Sequence, residues 1–169
     1  IAEHQEILLQ IPHTKTRIVK TAKDLDCIDG LILPGGESTA IGKLLDYFSL
    51  KEILRQKIIS GLPVFGTCAG LILLAKNIEN QTNTHLATMD ITVKRNGYGS
   101  QLDSFSTNLL IPTIDKNMPI PLVFIRAPYI TKTDKDVKIL ATLDNKIIAA
   151  RQKNMLVSSF HPELTCDLR

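Results

Sequence analysis

A thiol set between two glycines, where an apolar stretch meets a helical pattern, is placed for nucleophilic chemistry. Residues 63–75 read PVFGTCAGLILLA, with Cys68 at the centre of Gly66-Thr-Cys-Ala-Gly70. This is the spacing of a nucleophile elbow, in which a strand turns sharply into a helix and the central side chain projects from a strained bend. A thiol at the first turn of a helix lies near unpaired N–H groups that favour the thiolate, and the N–H of Ala69 can face a developing oxyanion. The same residues also suit a small buried hydrophobe beside packing glycines, the usual fate of a lone cysteine. A partner tips the balance. In SSFHPEL (158–164) an apolar strand ends at Phe160, Pro162 keeps His161 out of the helical region, and an extended backbone would set His161 and Glu163 on one side. Such a Cys–His–Glu set has an imidazole to move a proton and a carboxylate to fix its tautomer. His13 and His85 have no acidic residue two positions on, and His4, which has Glu6 there, lies in a helical pattern rather than an extended one, which leaves His161 as the candidate base.

LILPGGES (31–38) is a buried strand that ends in a double glycine before a helix start. Its free N–H groups could receive an oxyanion or a carboxylate, and its bland alternative is a tight turn with Ser38 as helix cap. GESTAIGK (36–43) is not a P-loop: five residues separate Gly36 from Gly42, and Leu44 stands where Mg²⁺ would need a hydroxyl. Arg95, in KRNGYGSQ (94–101), and Arg126, in FIRAPYI (124–130), could each hold a carboxylate by a bidentate pair, although most such arginines are simply solvated.

The elements that must position these groups follow from the apolar pattern. RIVK (17–20), GLILP (30–34) and LPVFG (62–66) read as strands buried on both faces, and residues 38–48, 49–59 and 68–78 read as helices, so the first half is expected to be βαβ units on a parallel sheet. From about residue 88 short strands follow: TMDITVKR, NLLIPT, PLVFIRA, VKILATL, KIIAAR and MLVSSF. The 169 residues, 44% hydrophobic, suit one domain over 1–169. The chain opens on a helical pattern and closes on DLR, so this domain is expected to lack a first strand and a C-terminal helix. Twenty Lys and Arg against 17 Asp and Glu leave a scattered +3, which offers neither a nucleic-acid patch nor a membrane patch. No apolar run approaches the ~20 residues that span a bilayer, and a cytoplasmic protein is expected. Three cysteines, an odd count without metal spacing, argue against a disulfide framework and a zinc site, and Cys27 reads as buried.

Taken together, PGGES, GTCAGLILLA, RNGYGSQLDSF, FIRAPYI and SSFHPELT resemble the glutaminase subunits of the two-component pyridoxal 5′-phosphate synthase, a family of class I (triad) glutamine amidotransferases. The resemblance runs from about residue 3 to 165. It implies an α/β, three-layer, flavodoxin-like fold with a mixed, mostly parallel sheet flanked by helices. It also implies hydrolysis of L-glutamine to L-glutamate and ammonia, with Cys68 as nucleophile, His161 as acid and base, and Glu163 orienting it. The family's oxyanion donors fall on the N–H groups of Gly36 and Ala69, and its glutamine-binding positions on Gly36, Glu37, Ser38, Arg95, Ile125 and Arg126. The implied partner is a (β/α)₈-barrel synthase subunit in a hetero-oligomer, and no cofactor or metal is implied. Two alternatives stand beside it: the glutaminase of another class I amidotransferase, and a catalytically silent binding subunit.

Overall fold

The computed structural model describes residues 1–97 and 104–169, so the centre of the Arg95-Asn96 motif, residues 98–103, lies outside the described residues. In chain order the elements are α1 (Ala2–Leu8), β1 (Leu31–Leu33), α2 (Ser38–Tyr47), α3 (Lys51–Ile59), β2 (Val64–Thr67), α4 (Ala69–Leu74), β3 (Ala75–Ile78), β4 (Met89–Lys94), β5 (Ser104–Leu109), β6 (Ile120–Ile125), β7 (Tyr129–Thr133), β8 (Lys138–Leu143), β9 (Lys146–Gln152) and β10 (Met155–Ser158). The main sheet runs β1-β2-β10-β9-β7-β4-β3, with β8 paired to β9, and β5 and β6 form a separate ribbon.

The sheet is mixed and flanked by helices, as expected. β1 pairs parallel with β2, and β2 parallel with β10, in the register Leu33↔Gly66 and Thr67↔Ser158. Because all three point the same way, their carboxyl ends open on one edge. The segments that follow them, Pro34–Gly36, Cys68 and Ser159–His161, must therefore converge there, in the crevice that open α/β sheets commonly use for ligands. A bond from the Cys68 N–H to the Ser158 carbonyl (2.8 Å) locks β10 to the start of the elbow.

Two apolar clusters support this edge. The larger gathers Leu33, Leu54, Ile58, Val64, Leu71, Leu73, Leu74, Ile91 and Val157 around α4, the second Leu122, Phe124, Ile148 and Phe160 beneath the β5–β6 ribbon. α4 is buried along its whole length, as a helix apolar all round must be.

Three expected elements differ. The helix expected over 68–78 stops at Leu74: Ala75 turns extended (φ −63°, ψ 134°), and 75–78 become β3, parallel to β4. In this segment Ala75 and Ile78 are buried and Lys76 and Asn77 exposed, a spacing that one face of a helix shows as well, so the pattern could not mark the change. RIVK (17–20) is irregular rather than a strand, with Val19 packed against the larger cluster. A strand needs a ladder partner, and among the described residues β1 pairs only with β2. NLLIPT is a strand only as far as Leu109, because β5 pairs with β6 from Ser104↔Ile125 to Leu109↔Ile120 and the chain then turns away; β7 (Tyr129–Thr133) lies outside all of the expected strands. Cys27 is exposed rather than buried, at φ 60° in a turn. No described helix is long and apolar enough to cross a membrane.

Candidate active site

β2 ends at Thr67, and Cys68 takes φ 49°, ψ −100° before α4 begins at Ala69. A non-glycine residue with positive φ is strained, and such strain gathers at functional bends. The flanking glycines allow it. A Cβ on Gly70 would lie 2.1 Å from the Leu33 carbonyl oxygen, and one on Gly66 would lie 2.6 Å from the Gly70 carbonyl, so side chains at either position would push β1, β2 and α4 apart. The Cys68 side chain is 8% exposed and reaches the Ile125 carbonyl at 4.0 Å.

His161 arrives from β10 through Ser159 and Phe160, and its N–H is tied to the Val123 carbonyl of β6 at 2.8 Å. It stands just before a short 3₁₀ turn over Pro162–Leu164, with φ −107° and ψ 89°. That turn, rather than the expected extended chain, brings His161 and Glu163 to one side: Nδ1 of His161 lies 2.7 Å from Oε1 of Glu163. Both side chains are nearly enclosed. Gly35 matters here as well. A Cβ at that position would sit 2.5 Å from Cε1 of the imidazole, so the first glycine of the pair makes room for His161 while Gly36, at φ 139°, makes the turn.

Burial alone would push the imidazole down, but its bonds to Cys68 and Glu163, and their negative charges, overcome this and raise His161 to about 9. Burial likewise opposes the Glu163 carboxylate, yet its bonds to His161 and His4 hold it at about 2. An imidazole that holds its proton at neutral pH beside the Cys68 sulfur is equipped to hand that proton to a leaving group.

These groups face a cleft of about 430 Å³, within the usual range for small-molecule sites. Of the residues expected at the site, Gly36, Glu37, Ser38, Cys68, Ala69, Arg95, Ile125, Arg126 and His161 all line it; Glu163 stands behind His161. Ala69 opens α4, where an N–H has no intrahelical partner. Glu37, not Ser38, caps α2: its carboxylate accepts from the N–H groups of Thr39 (3.0 Å) and Ala40 (2.6 Å), while the buried Ser38 hydroxyl has no partner among the described residues. Those backbone bonds first, and Arg95 after them, hold Glu37 at about 2. Arg95 crosses the cleft mouth to Glu37 (2.8 Å) and Thr39 (3.2 Å), so carboxylate and guanidinium stand side by side there. Arg126, exposed at φ 43°, closes the far wall after β6. Sequence reasoning passed over His4, which contacts Glu163 from α1; only the distant topology places it there.

The whole chain, residues 1–169, matches the family model described as the SNO glutamine amidotransferase family. It is 55% identical over 167 residues to the pyridoxal 5′-phosphate synthase subunit PdxT of Carboxydothermus hydrogenoformans, covering 99% of this chain and 86% of that protein. It is 54% identical over 169 residues to the PdxT of Clostridium botulinum strain Loch Maree, covering 100% and 87%. A crystal structure described as a glutamine amidotransferase superposes with a TM-score of 0.92 at 37% identity, covering 99% of this chain and 87% of that one.

Proposed function

The chain belongs to the SNO glutamine amidotransferase family, and from that premise we propose that residues 1–169 act as one glutaminase domain, which releases ammonia from L-glutamine for the synthesis of pyridoxal 5′-phosphate. The observation that carries this reading is the convergence of Cys68, His161 and Glu163 at the carboxyl ends of β2 and β10, in a chain more than half identical to pyridoxal 5′-phosphate synthase subunits.

The geometry supports a complete cycle. The Cys68 sulfur attacks the side-chain amide carbon of glutamine, and the oxyanion forms against the N–H groups of Gly36 and Ala69. His161 gives its proton to the departing nitrogen, the C–N bond breaks, and ammonia leaves a γ-glutamyl thioester on Cys68. His161, now neutral, takes a proton from water; the hydroxide displaces the sulfur, glutamate departs, and the charged pair is restored. Glu163 holds the imidazole throughout, and the cycle needs no cofactor.

At the other end of the substrate, Arg95 faces the α-carboxylate and Glu37 the α-ammonium, with Gly36, Ser38, Ile125 and Arg126 completing the walls. These contacts are alike in the ground and transition states, so Arg95→Ala is expected to raise KM for glutamine by roughly 10–100-fold, the worth of a charge-assisted hydrogen bond, with kcat changed by less than about threefold. Steady-state ammonia release measures both; an unchanged KM would remove Arg95 from substrate binding.

The partner proposed is a (β/α)₈-barrel synthase subunit that takes the ammonia directly within a hetero-oligomeric complex, in the cytoplasm. The test is ammonia release from glutamine by this chain, alone and with that subunit. Release that rises on adding the synthase supports the pairing. Release indifferent to it points to the glutaminase of another class I amidotransferase, and no release in either case leaves a silent binding subunit.

A further inference from the structure

We propose that His4, on the surface helix α1, is a positioning residue that holds the Glu163 carboxylate in place behind His161; the inference rests on the glutaminase reading above. α1 buries one of its seven residues, and that residue is His4, 7% exposed. A surface helix normally buries an apolar stripe, so a lone buried imidazole calls for a polar reason. Its Nε2 lies 3.3 Å from Oε1 of Glu163 and is hydrogen-bonded to Oγ1 of the fully buried Thr67, also at 3.3 Å. An unprotonated nitrogen would set its lone pair against the carboxylate, which assigns the hydrogen to Nε2. Oε1 therefore faces two imidazoles, His161 and His4, while the buried Oε2 has no partner among the described residues. Thr67 immediately precedes Cys68. One N–H thus spans the strand that carries the sulfur and the turn that carries the carboxylate, two segments nearly a hundred residues apart in the chain.

The charged and titratable groups around this contact are Cys68, His161 and Glu163, with Glu3 of α1 exposed nearby. With the N–H removed, Glu163 loses one of its two imidazole partners and supports the imidazolium of His161 less well. The expected loss lies in kcat rather than KM, because His4 does not line the cleft.

The experiment compares wild type with His4→Phe, His4→Asn and His4→Gln, each in complex with the synthase subunit, for kcat, KM and the pH profile of ammonia release. A glutamine amide can place its N–H near the former Nε2, whereas the shorter asparagine cannot reach and phenylalanine has no donor. His4→Phe and His4→Asn are expected to lower kcat on the order of 10-fold and move the alkaline limb to lower pH, with KM within about twofold and His4→Gln recovering most of both. If wild type is active and His4→Asn matches it in kcat and pH profile, the proposal is overturned. It is equally overturned if Gln and Asn lose kcat alike with unmoved pH limbs, the mark of a packing role. Wild type without ammonia release would instead overturn the glutaminase reading, and this inference with it.

Discussion

Replacing Cys68 by alanine is expected to abolish ammonia release, by roughly 10⁴-fold or more in kcat, while glutamine still binds. The sulfur is the atom that makes the covalent bond, and what remains without it is only what the oxyanion donors and bound water can achieve. Cys68→Ser should fare little better. A hydroxyl gives up its proton far less readily than a thiol, and the His161 imidazole, raised to about 9 partly by its bond to the sulfur and by the sulfur's charge, would lose both supports. Fold is expected to survive either change, because the elbow depends on Gly66 and Gly70 meeting backbone atoms rather than on the thiol. Labelling must be chosen with the surface in mind. Cys27 and Cys166 are exposed and Cys68 is buried, so a general alkylating reagent reports accessibility as much as reactivity. An electrophilic glutamine analogue, whose amino acid end is held at Glu37 and Arg95, should label Cys68 alone; a Cys27→Ser, Cys166→Ser double variant should keep full activity and take one label. Ammonia release by Cys68→Ala above about one per cent of wild type would rule out the thioester route.

The chemistry was more legible in the sequence than the architecture, for a physical reason. A strained bend demands glycines at fixed offsets, and here the base has its carboxylate only two residues on, so Gly66, Cys68, Gly70, His161 and Glu163 carry signals that span a few residues. The parallel strands around them were legible too, because a strand buried on both faces must be continuously apolar: LIL and VFGT are β1 and β2. The apolar pattern is silent where a short segment fits both periods: Ala75 and Ile78, three apart with Lys76 and Asn77 between them, continue the face of a helix, so α4 gave no sign of becoming β3 at Ala75. It fails again where regularity is conferred by a neighbour, as at RIVK. Capping is a contest between adjacent side chains: Ser38 has the customary type, but Glu37 accepts from two N–H groups in the turn that follows it and has Arg95 to pair with, so it caps α2. Gly35 beneath the His161 ring and His4 behind Glu163 were out of reach of any local pattern. Each meets its partner only after β1, β2 and β10 have aligned, more than a hundred residues away in the chain.

Glu163→Gln is expected to lower kcat by about 10²–10⁴-fold with KM nearly unchanged, the scale of a lost general acid–base partner whose geometry survives. The amide is almost isosteric, so the Nδ1 contact can persist, but glutamine can offer that nitrogen an N–H as readily as an oxygen and no longer dictates which tautomer His161 adopts. The charge is lost as well. Burial then weighs more heavily on the imidazole, its proton is held less firmly than at about 9, and the alkaline limb of the rate profile should move to lower pH. Stability should respond with a definite sign. In wild type the His161 imidazolium is favoured by folding, since its value rises from 6.5 to about 9; that contribution is complete below about pH 6.5 and fades as pH climbs through 9. Glu163 works in the other direction, depressed from 4.5 to about 2, so its contribution is present above about pH 4.5 and fades as pH falls toward 2. Both are in force near pH 5–6, and there Glu163→Gln should lower Tm most relative to wild type, with the gap narrowing at pH 9.5 as the wild-type imidazolium itself disappears. Thermal melts at pH 5.5 and 9.5 measure it. An equal drop in Tm at both values would mean that Glu163 contributes packing rather than charge, and the fall in kcat would then have to be ascribed to a displaced His161 ring, which a crystal structure of the variant would show directly.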